Sequence, residues 1–303
     1  MSGLAGLLAS GTPVVTAEFP VVDADMSALV RHADRLRGWA DAVNVTDNTA
    51  AHAHASNVAV AVAVRRLGLD PIMQVVCRDK NRLALQADIV GAALHGVRAV
   101  CCMTGDDVTA GDEPEARPVF DLDGPRLVRA AASLAEGRYL SGRRLDPAPE
   151  LLVGAVESPG FLPHSRPVER AVQKVQAGAR FLQLQICYHQ DRLAAFMAGV
   201  ARAGLTARAA FLPTICLVEG VRGLRFMDGK LPGVSVPAET IDRVERAADP
   251  SAAAYDLALE QARHALGLPG VRGLHLVDFR GGDAVPRLLS DLRISRRPPA
   301  VPA

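Results

Sequence analysis

Short apolar runs, rich in β-branched residues, alternate along this chain with longer stretches of helical period. Residues 14–19, 42–46, 71–77, 98–103, 150–156, 181–187, 207–212 and 273–279 are apolar at nearly every position. Such runs predict strands buried on both faces, as in a parallel sheet. Helical periods run over 25–39, 50–67, 81–95, 122–136, 168–176 and 192–203, with Leu83, Leu85, Ile89 and Leu94 as the apolar positions of the third. Three further helical stretches, near 220–227, 238–247 and 252–266, precede the last strand, and 284–292 predicts a last helix. Eight strand–helix units in about 250 residues predict an α/β protein, a single (β/α)8 TIM barrel with extra helices before its last strand. The barrel is expected over 1–293, with 1–10 as a short helix or arm against it and a flexible Pro- and Arg-rich tail at 294–303. An open doubly wound sheet is the alternative, but no Gly-x-Gly-x-x-Gly turn follows the first strand.

Barrel sites are built at the C-terminal ends of the strands, so the polar residues there are the candidates. Glu18 ends the first run, beside Phe19 and Pro20, and an unpaired acid is costly to bury for stability alone. Thr46, Asp47 and Asn48 follow the second run, Gln74 interrupts the third, and Thr104, Gly105, Asp106 and Asp107 follow the fourth. Glu157 and Ser158 follow the fifth, and Asp278 and Arg280 lie at the eighth. Gln183 and Gln185 lie two apart in the sixth run, which puts them on one face of a strand. Buried amides need partners. A polar layer at the barrel mouth would satisfy them, and so would a heterocycle edge such as a pterin, which offers donor and acceptor together. Gly105 reads as a plain turn or as a place where backbone meets a ligand. Lys174, near a helix end, reads by itself as a solvated charge that favours the helix C-terminus.

Composition narrows the function classes. The chain has 303 residues, 49% hydrophobic and 22% charged, with net charge +1. That balance gives no electrostatic case for nucleic acid. No apolar run is long enough to span a bilayer, so no membrane partner is expected. The five cysteines are odd in number, lack a Cys-x-x-Cys pair and sit mostly in apolar runs, which predicts buried reduced thiols in a cytoplasmic protein. No His, Cys and acid cluster has ligand spacing, so no metal is expected.

Six segments occur in order at compatible spacing: Thr16-Ala17-Glu18-Phe19-Pro20, Asp41-Ala42-Val43-Asn44-Val45-Thr46-Asp47-Asn48, Pro71-Ile72-Met73-Gln74-Val75-Val76-Cys77-Arg78-Asp79, Met103-Thr104-Gly105-Asp106, Lys174-Val175-Gln176-Ala177-Gly178-Ala179 and Phe181-Leu182-Gln183-Leu184-Gln185. With Leu231-Pro232-Gly233-Val234 and Val285-Pro286 they make the chain resemble methylenetetrahydrofolate reductase over nearly its whole length. The closest likeness is to the bacterial catalytic barrel without a regulatory domain.

The resemblance implies FAD, with FMN fitting as well, lying across the strand C-termini. It implies interconversion of 5,10-methylenetetrahydrofolate and 5-methyltetrahydrofolate, with NADH or NADPH as hydride partner. Glu18 matches the family's acid and Asp106 the acid near the flavin pyrimidine and the pterin. Gln185, with Gln183 beside it, matches the folate glutamine. Thr46, Asp47, Asn48, Gln74, Thr104, Gly105 and Lys174 fall at flavin- or phosphate-contacting positions. Gln74 stands where the family often has His, and Thr104 where it often has Arg. One barrel mouth serving both substrates implies a ping-pong order. A homo-oligomer is expected. An electron-transfer partner subunit is the alternative context, in which the chain binds flavin and pterin without turnover of its own.

Overall fold

The computed structural model describes residues 3–295. Eight parallel strands close into a barrel in sequence order: β1 (Val14–Glu18), β2 (Ala42–Val45), β3 (Pro71–Val76), β4 (Ala99–Met103), β5 (Leu152–Glu157), β6 (Phe181–Leu184), β7 (Ala210–Leu217) and β8 (Gly273–Asp278). β8 pairs back onto β1, with Thr16 opposite His275, so no strand edge is left open. The expected TIM barrel is therefore present. The helices are α1 (Leu4–Ala9), α2 (Met26–Leu36), α3 (Asn57–Arg66), α4 (Arg82–Leu94), α5 (Gly124–Ala135), α6 (Ser165–Ala177), α7 (Gln190–Arg202), α8 (Val221–Lys230), α9 (Ala238–Glu245), α10 (Pro250–Gly267) and α11 (Ala284–Asp291). Asp25, Asn81, Asp123 and Asp249 cap α2, α4, α5 and α10 by accepting from first-turn N–H groups. No helix among the described residues is long and apolar enough to cross a membrane.

Outward strand residues such as Val43, Val75, Leu182 and Phe211 pack with the inner faces of the helices into one large core. Inside the barrel, Val14, Ala42, Ile72, Ala99, Cys101, Phe181, Ala210 and Leu212 form a lower apolar layer, on which Leu4, Leu7 and Leu8 of α1 pack. The apolar start of the chain is thus a plug against the barrel floor. A third cluster joins Ile186, Tyr188, Cys216 and Val218 to Leu224, Met227, Val244 and Leu257, so α8, α9 and α10 carry a small core of their own beyond β6 and β7. Four cysteines are buried, Cys187 is half-buried, and all five are free. Burial pushes the Cys77, Cys101 and Cys216 thiols up to about 12, which keeps them protonated and inert.

The departures from expectation are local. The helix expected from residue 50 begins at Asn57. Residues Thr49–Ala51 make one tight turn, with Ala50 and Ala51 at positive φ. That Ala-rich stretch is held elsewhere: the Ala53 N–H donates to Asp112 at 3.2 Å. A Cβ on Gly111 would overlap the Ala51 carbonyl, so the two loops touch there. β7, expected at 207–212, continues through Pro213 to Leu217. β6 stops at Leu184, three residues short of expectation. Of the apolar positions of the helix expected at 81–95, Leu85 and Ile89 are fully buried, while Leu83 and Leu94 are 75% and 83% exposed. Ile294 packs on the main core. From residue 296 on, the expected tail lies outside the described residues.

Gly154 of β5 lies opposite Phe181 of β6, and a Cβ there would come within 2.1 Å of the Phe181 ring. Gly154→Ala is expected to cost about 1–3 kcal/mol, because neither the ring nor the closed sheet has room to shift. Thermal unfolding measures it, and an unchanged melting temperature would show that the interior repacks freely.

Candidate active site

Above the lower apolar layer, the barrel interior turns polar. Thr16, Asn44, Gln183 and His275 are each at most 4% exposed. Asn44 and Gln183 face each other as a reciprocal amide pair: Asn44 Nδ2 donates to Gln183 Oε1 at 2.7 Å, and Gln183 Nε2 donates to Asn44 Oδ1 at 2.9 Å. Gln183 Nε2 also lies 3.4 Å from Thr16 Oγ1 and 3.4 Å from His275 Nδ1. An amide nitrogen only donates, so the pair turns N–H toward Nδ1 and places the imidazole proton on Nε2. Thr16 Oγ1, 3.0 Å from Nδ1, completes that side of the ring.

His275 Nε2 points at Glu18. The distance to Glu18 Oε2 is 3.6 Å, and Gln74 Nε2 donates to the same oxygen at 3.4 Å. No described residue bonds Oε1. The Glu18 side chain is 28% exposed, so one carboxylate oxygen is held from below and the group opens to the mouth. Phe19 points the other way, buried edge-on against His32 of α2.

The exits of β2, β3 and β4 form one charged rim. Arg78, only 2% exposed, grips Asp79 bidentately at 2.7 and 2.8 Å and donates to the Asn48 carbonyl at 2.8 Å. The Asp79 hydrogen bonds raise the guanidinium above its ordinary value, and Asp106 adds to this from the β4 exit. Asn48 sits at φ 46°, ψ 58° and donates its amide to Asp79 at 3.1 Å. Gly105, at φ 98°, has no room for a side chain: a Cβ would come within 2.4 Å of Val76 Cγ1 and 2.9 Å of Arg78 Cβ. Glycine there brings the Thr104–Asp106 loop down onto Arg78.

Asp47 is spent on the fold. It accepts from the Val76 N–H at 3.0 Å and from Lys80 at 3.1 Å. Burial pushes its carboxyl up, against the pull of Lys80. Thr46 is different. His54 Nδ1 faces the Ala55 carbonyl at 2.9 Å, which fixes the proton on Nδ1. Its Nε2 therefore accepts, and the Thr46 hydroxyl, 3.3 Å away, donates to it. The Thr46 oxygen keeps its lone pairs for another donor.

Lys174 and Gln185 lie apart from this group. The Lys174 ammonium donates to Glu157 at 2.7 Å and to the Val156 carbonyl at 2.6 Å. Arg170 takes the other oxygen of Glu157, which is buried at the β5 exit. Gln185 falls after the end of β6, so the strand period does not carry it to the side of Gln183. Its Oε1 accepts from the Ile186 N–H, and it borders a cavity of about 10 Å³ with Cys187, Thr214 and His264.

Sequence reasoning missed His275 and His54, and quoted Thr16, Asn44 and Arg78 only as parts of motifs. A signal existed for three of the five: Thr16, Asn44 and His275 are single polar residues inside apolar runs, as Gln74 is. Replacing Asn44 by Leu is expected to cost about 1–3 kcal/mol by leaving the Gln183 amide unpaired. Gln183→Leu on top of it should recover part of that loss. A double-mutant cycle in denaturant measures the coupling. A coupling near zero would mean that the two amides are satisfied independently.

Comparison with known proteins agrees with this arrangement. The sequence profile of methylenetetrahydrofolate reductase matches residues 4–293. No curated protein sequence gives a significant match. Among solved structures, a Clostridium thermocellum protein described as binding two copies of 5-methyl-5,6,7,8-tetrahydrofolic acid is similar, with a TM-score of 0.66, 12% identity and 96% of both chains covered. An EDTA monooxygenase from Chelativorans sp. BNC1 has a TM-score of 0.56 and 12% identity, over 94% of this chain and 95% of that one. At such identity these two neighbours speak for the shared barrel alone. The profile match spans the barrel from α1 to α11, and on that ground the chain belongs to the methylenetetrahydrofolate reductase family.

Proposed function

We propose that the protein is a flavin-dependent oxidoreductase that interconverts 5,10-methylenetetrahydrofolate and 5-methyltetrahydrofolate with NADH or NADPH. The observation that carries this reading is Glu18: a carboxylate at the barrel mouth, held on one oxygen by Gln74 and His275, in a chain of this family. The Clostridium thermocellum neighbour, described as binding 5-methyl-5,6,7,8-tetrahydrofolic acid, supports the substrate class.

The residues present fit a flavin. Thr46 keeps free lone pairs, the Gln74 amide meets Glu18 at the strand ends, and the Asp106 carboxylate follows β4 near Arg78. A planar ring edge with alternating N–H and C=O groups needs such a mixed set. Arg170 and Lys174 set two positive charges against the single Glu157 carboxylate. The net positive charge at the β5 exit suits the cofactor's phosphates, of FAD or of FMN. A bound flavin would supply the hydride acceptor and donor that no side chain here provides.

Glu18 acts as the general acid. Its proton goes from the carboxyl to the folate nitrogen whose protonation opens the imidazolidine ring of the methylene form. His275 holds Nε2–H toward the same carboxylate and steadies its charge once the proton has left. Asp106 would orient the pterin and, near a bound flavin, would set a negative charge against its anionic reduced form. Gln185 is assigned to the folate as well.

The decisive measurement is anaerobic, on protein purified with flavin. Nicotinamide should still bleach Glu18→Gln, while its folate half-reaction slows by roughly 100- to 10,000-fold. A folate half-reaction at the parent rate would remove Glu18 as the acid. Protein that binds flavin and pterin but never turns over would instead mark a binding subunit.

The two substrates are expected to alternate. A closed barrel offers one mouth at its strand C-termini, where Glu18 and Gln74 meet, and hydride transfer needs reacting atoms within about 3.5 Å. Nicotinamide and folate therefore cannot occupy the productive position together. Initial rates should give parallel double-reciprocal lines, and intersecting lines would require a second binding surface.

A further inference from the structure

The imidazole of His54 sits between two backbone groups that allow it one arrangement. On one side the Ala55 carbonyl, which only accepts, lies 2.9 Å from Nδ1. On the other the Thr49 N–H, which only donates, points at Nε2 from 3.4 Å. The ring is therefore neutral, with its proton on Nδ1 and a lone pair on Nε2. That lone pair also lies 3.3 Å from Thr46 Oγ1. A hydroxyl has one hydrogen, and in general it either donates that hydrogen or accepts from another group. Facing a nitrogen that carries no hydrogen, it can only donate. Its hydrogen is then committed, and the Thr46 oxygen has nothing but lone pairs left to offer.

The surroundings keep the ring in place. His54 closes the turn Thr49–Ala51, in which Ala50 and Ala51 lie at positive φ. The Ala53 N–H, one residue back, is held by Asp112 at 3.2 Å. Thr46 is only 4% exposed and follows the strand that pairs with Glu18. Among the described residues no group donates to its oxygen. A buried oxygen with lone pairs and no donor, at the end of a strand beside the acid, is a place for a donor from outside the protein.

We propose that His54 is a positioning residue: by holding the Thr46 hydrogen it makes Thr46 a fixed acceptor, which selects a ligand by a ring N–H. The chemistry selected is the N–H of a cyclic amide, which both an oxidised flavin and a reduced pterin carry. A carbonyl or a bare ring nitrogen set against Thr46 would bring lone pair against lone pair. The use of Thr46 rests on the proposed flavin and folate site, whereas the arrangement of His54 does not.

Two measurements on the whole chain test it. Nitrogen NMR of histidine-labelled protein, without ligand and in mildly alkaline buffer, should show His54 protonated on Nδ1, its signal identified by its loss in His54→Gln. Flavin-free protein is then titrated with FMN by fluorescence quenching, and flavin-loaded protein with 5-methyltetrahydrofolate. His54→Leu should raise one of the two dissociation constants about 5- to 10-fold, and which one rises tells whether the N–H belongs to the flavin or to the pterin. Thr46→Val should raise the same constant at least as much, and adding His54→Leu to it should raise it no further. A His54 that merely held the turn would cost the same in the parent and in Thr46→Val. His54→Gln, which can set an amide oxygen near the place of Nε2, should recover most of the affinity. His52→Gln, at the exposed histidine two residues back, should leave both constants within about twofold. Circular dichroism verifies folding. If His54→Leu does not fold, the tautomer and a comparison of Thr46→Ser, which keeps the hydroxyl and should bind like the parent, with Thr46→Val replace it. A proton on Nε2, both affinities untouched by His54→Leu, equal cost of His54→Leu in the parent and in Thr46→Val, His54→Gln no better than His54→Leu, or Thr46→Ser as weak as Thr46→Val would each overturn the proposal. A parent that takes up no flavin would overturn the flavin reading and this use of Thr46 with it, and the tautomer separates that result from an error about His54.

Discussion

A closed barrel shields its interior from bulk solvent, so a polar side chain pointing inward needs a partner there. Four do: Thr16 from β1, Asn44 from β2, Gln183 from β6 and His275 from β8. Unpaired, each would cost a few kcal/mol. Paired, they lock one another's orientation across the barrel axis. Gln183 Nε2 faces His275 Nδ1 at 3.4 Å. His275 in turn has one nitrogen left, and it faces Glu18. The acid at the mouth is thus aimed from below by a network that touches neither solvent nor substrate. That is why a site can sit on strand ends and still be held as firmly as the core.

The rim is held by charge where the interior is held by neutral hydrogen bonds. Arg78 is nearly without solvent and ties together the exits of three strands. It grips Asp79 on its own loop, the Asn48 carbonyl after β2, and the Gly105 turn after β4, which lies against its Cβ. Strain is concentrated in the same place, with Asn48, Ala50 and Ala51 at positive φ. Such conformations persist where surrounding contacts over-determine them. The clasp between the Asp112 and Ala53 loops supplies part of that determination. Asp47 and Lys174, both with the chemistry of ligand-binding residues, are already engaged by protein partners. Their charges shape the field at the mouth before anything binds.

Strand count, strand order and the inserted helices before β8 were legible because each unit had its own apolar period. The Ala-rich stretch 50–56 misled because alanine favours a helix only where nothing else holds the backbone. Here Asp112 and the Arg78 cluster do, and no propensity scale contains them. Pro213 misled in the other direction: proline is a sound strand-stopper at a ladder N–H, yet β7 runs through it to Leu217. Glu18 and Gln74 were legible as polar interruptions at strand ends, and the structure joins them by a hydrogen bond. The reciprocal amide pair was not, because residues 44 and 183 are distant in sequence and meet only when the barrel closes. Leu83 and Leu94 were read only as apolar positions of a helix, with no face assigned. Their positions on α4 put them on the face opposite Leu85 and Ile89.

The placement of the site follows from where the apolar cover lies. Strands β6 and β7 leave the barrel into the small core of Ile186, Tyr188, Cys216 and Val218, roofed by α8, α9 and α10. A surface sealed by that core has no room for a planar ligand, and its buried Tyr188 hydroxyl is pushed far up by the same burial. The exits of β1 to β4 carry no such roof. The loop after β4 comes down onto Arg78 at Gly105, and the Glu18 side chain, 28% exposed, opens to the mouth. An eight-fold architecture is in this way made one-sided. The inserted helices add their small core beside β6 and β7, while Glu18 and Gln74 meet at the ends of β1 and β3.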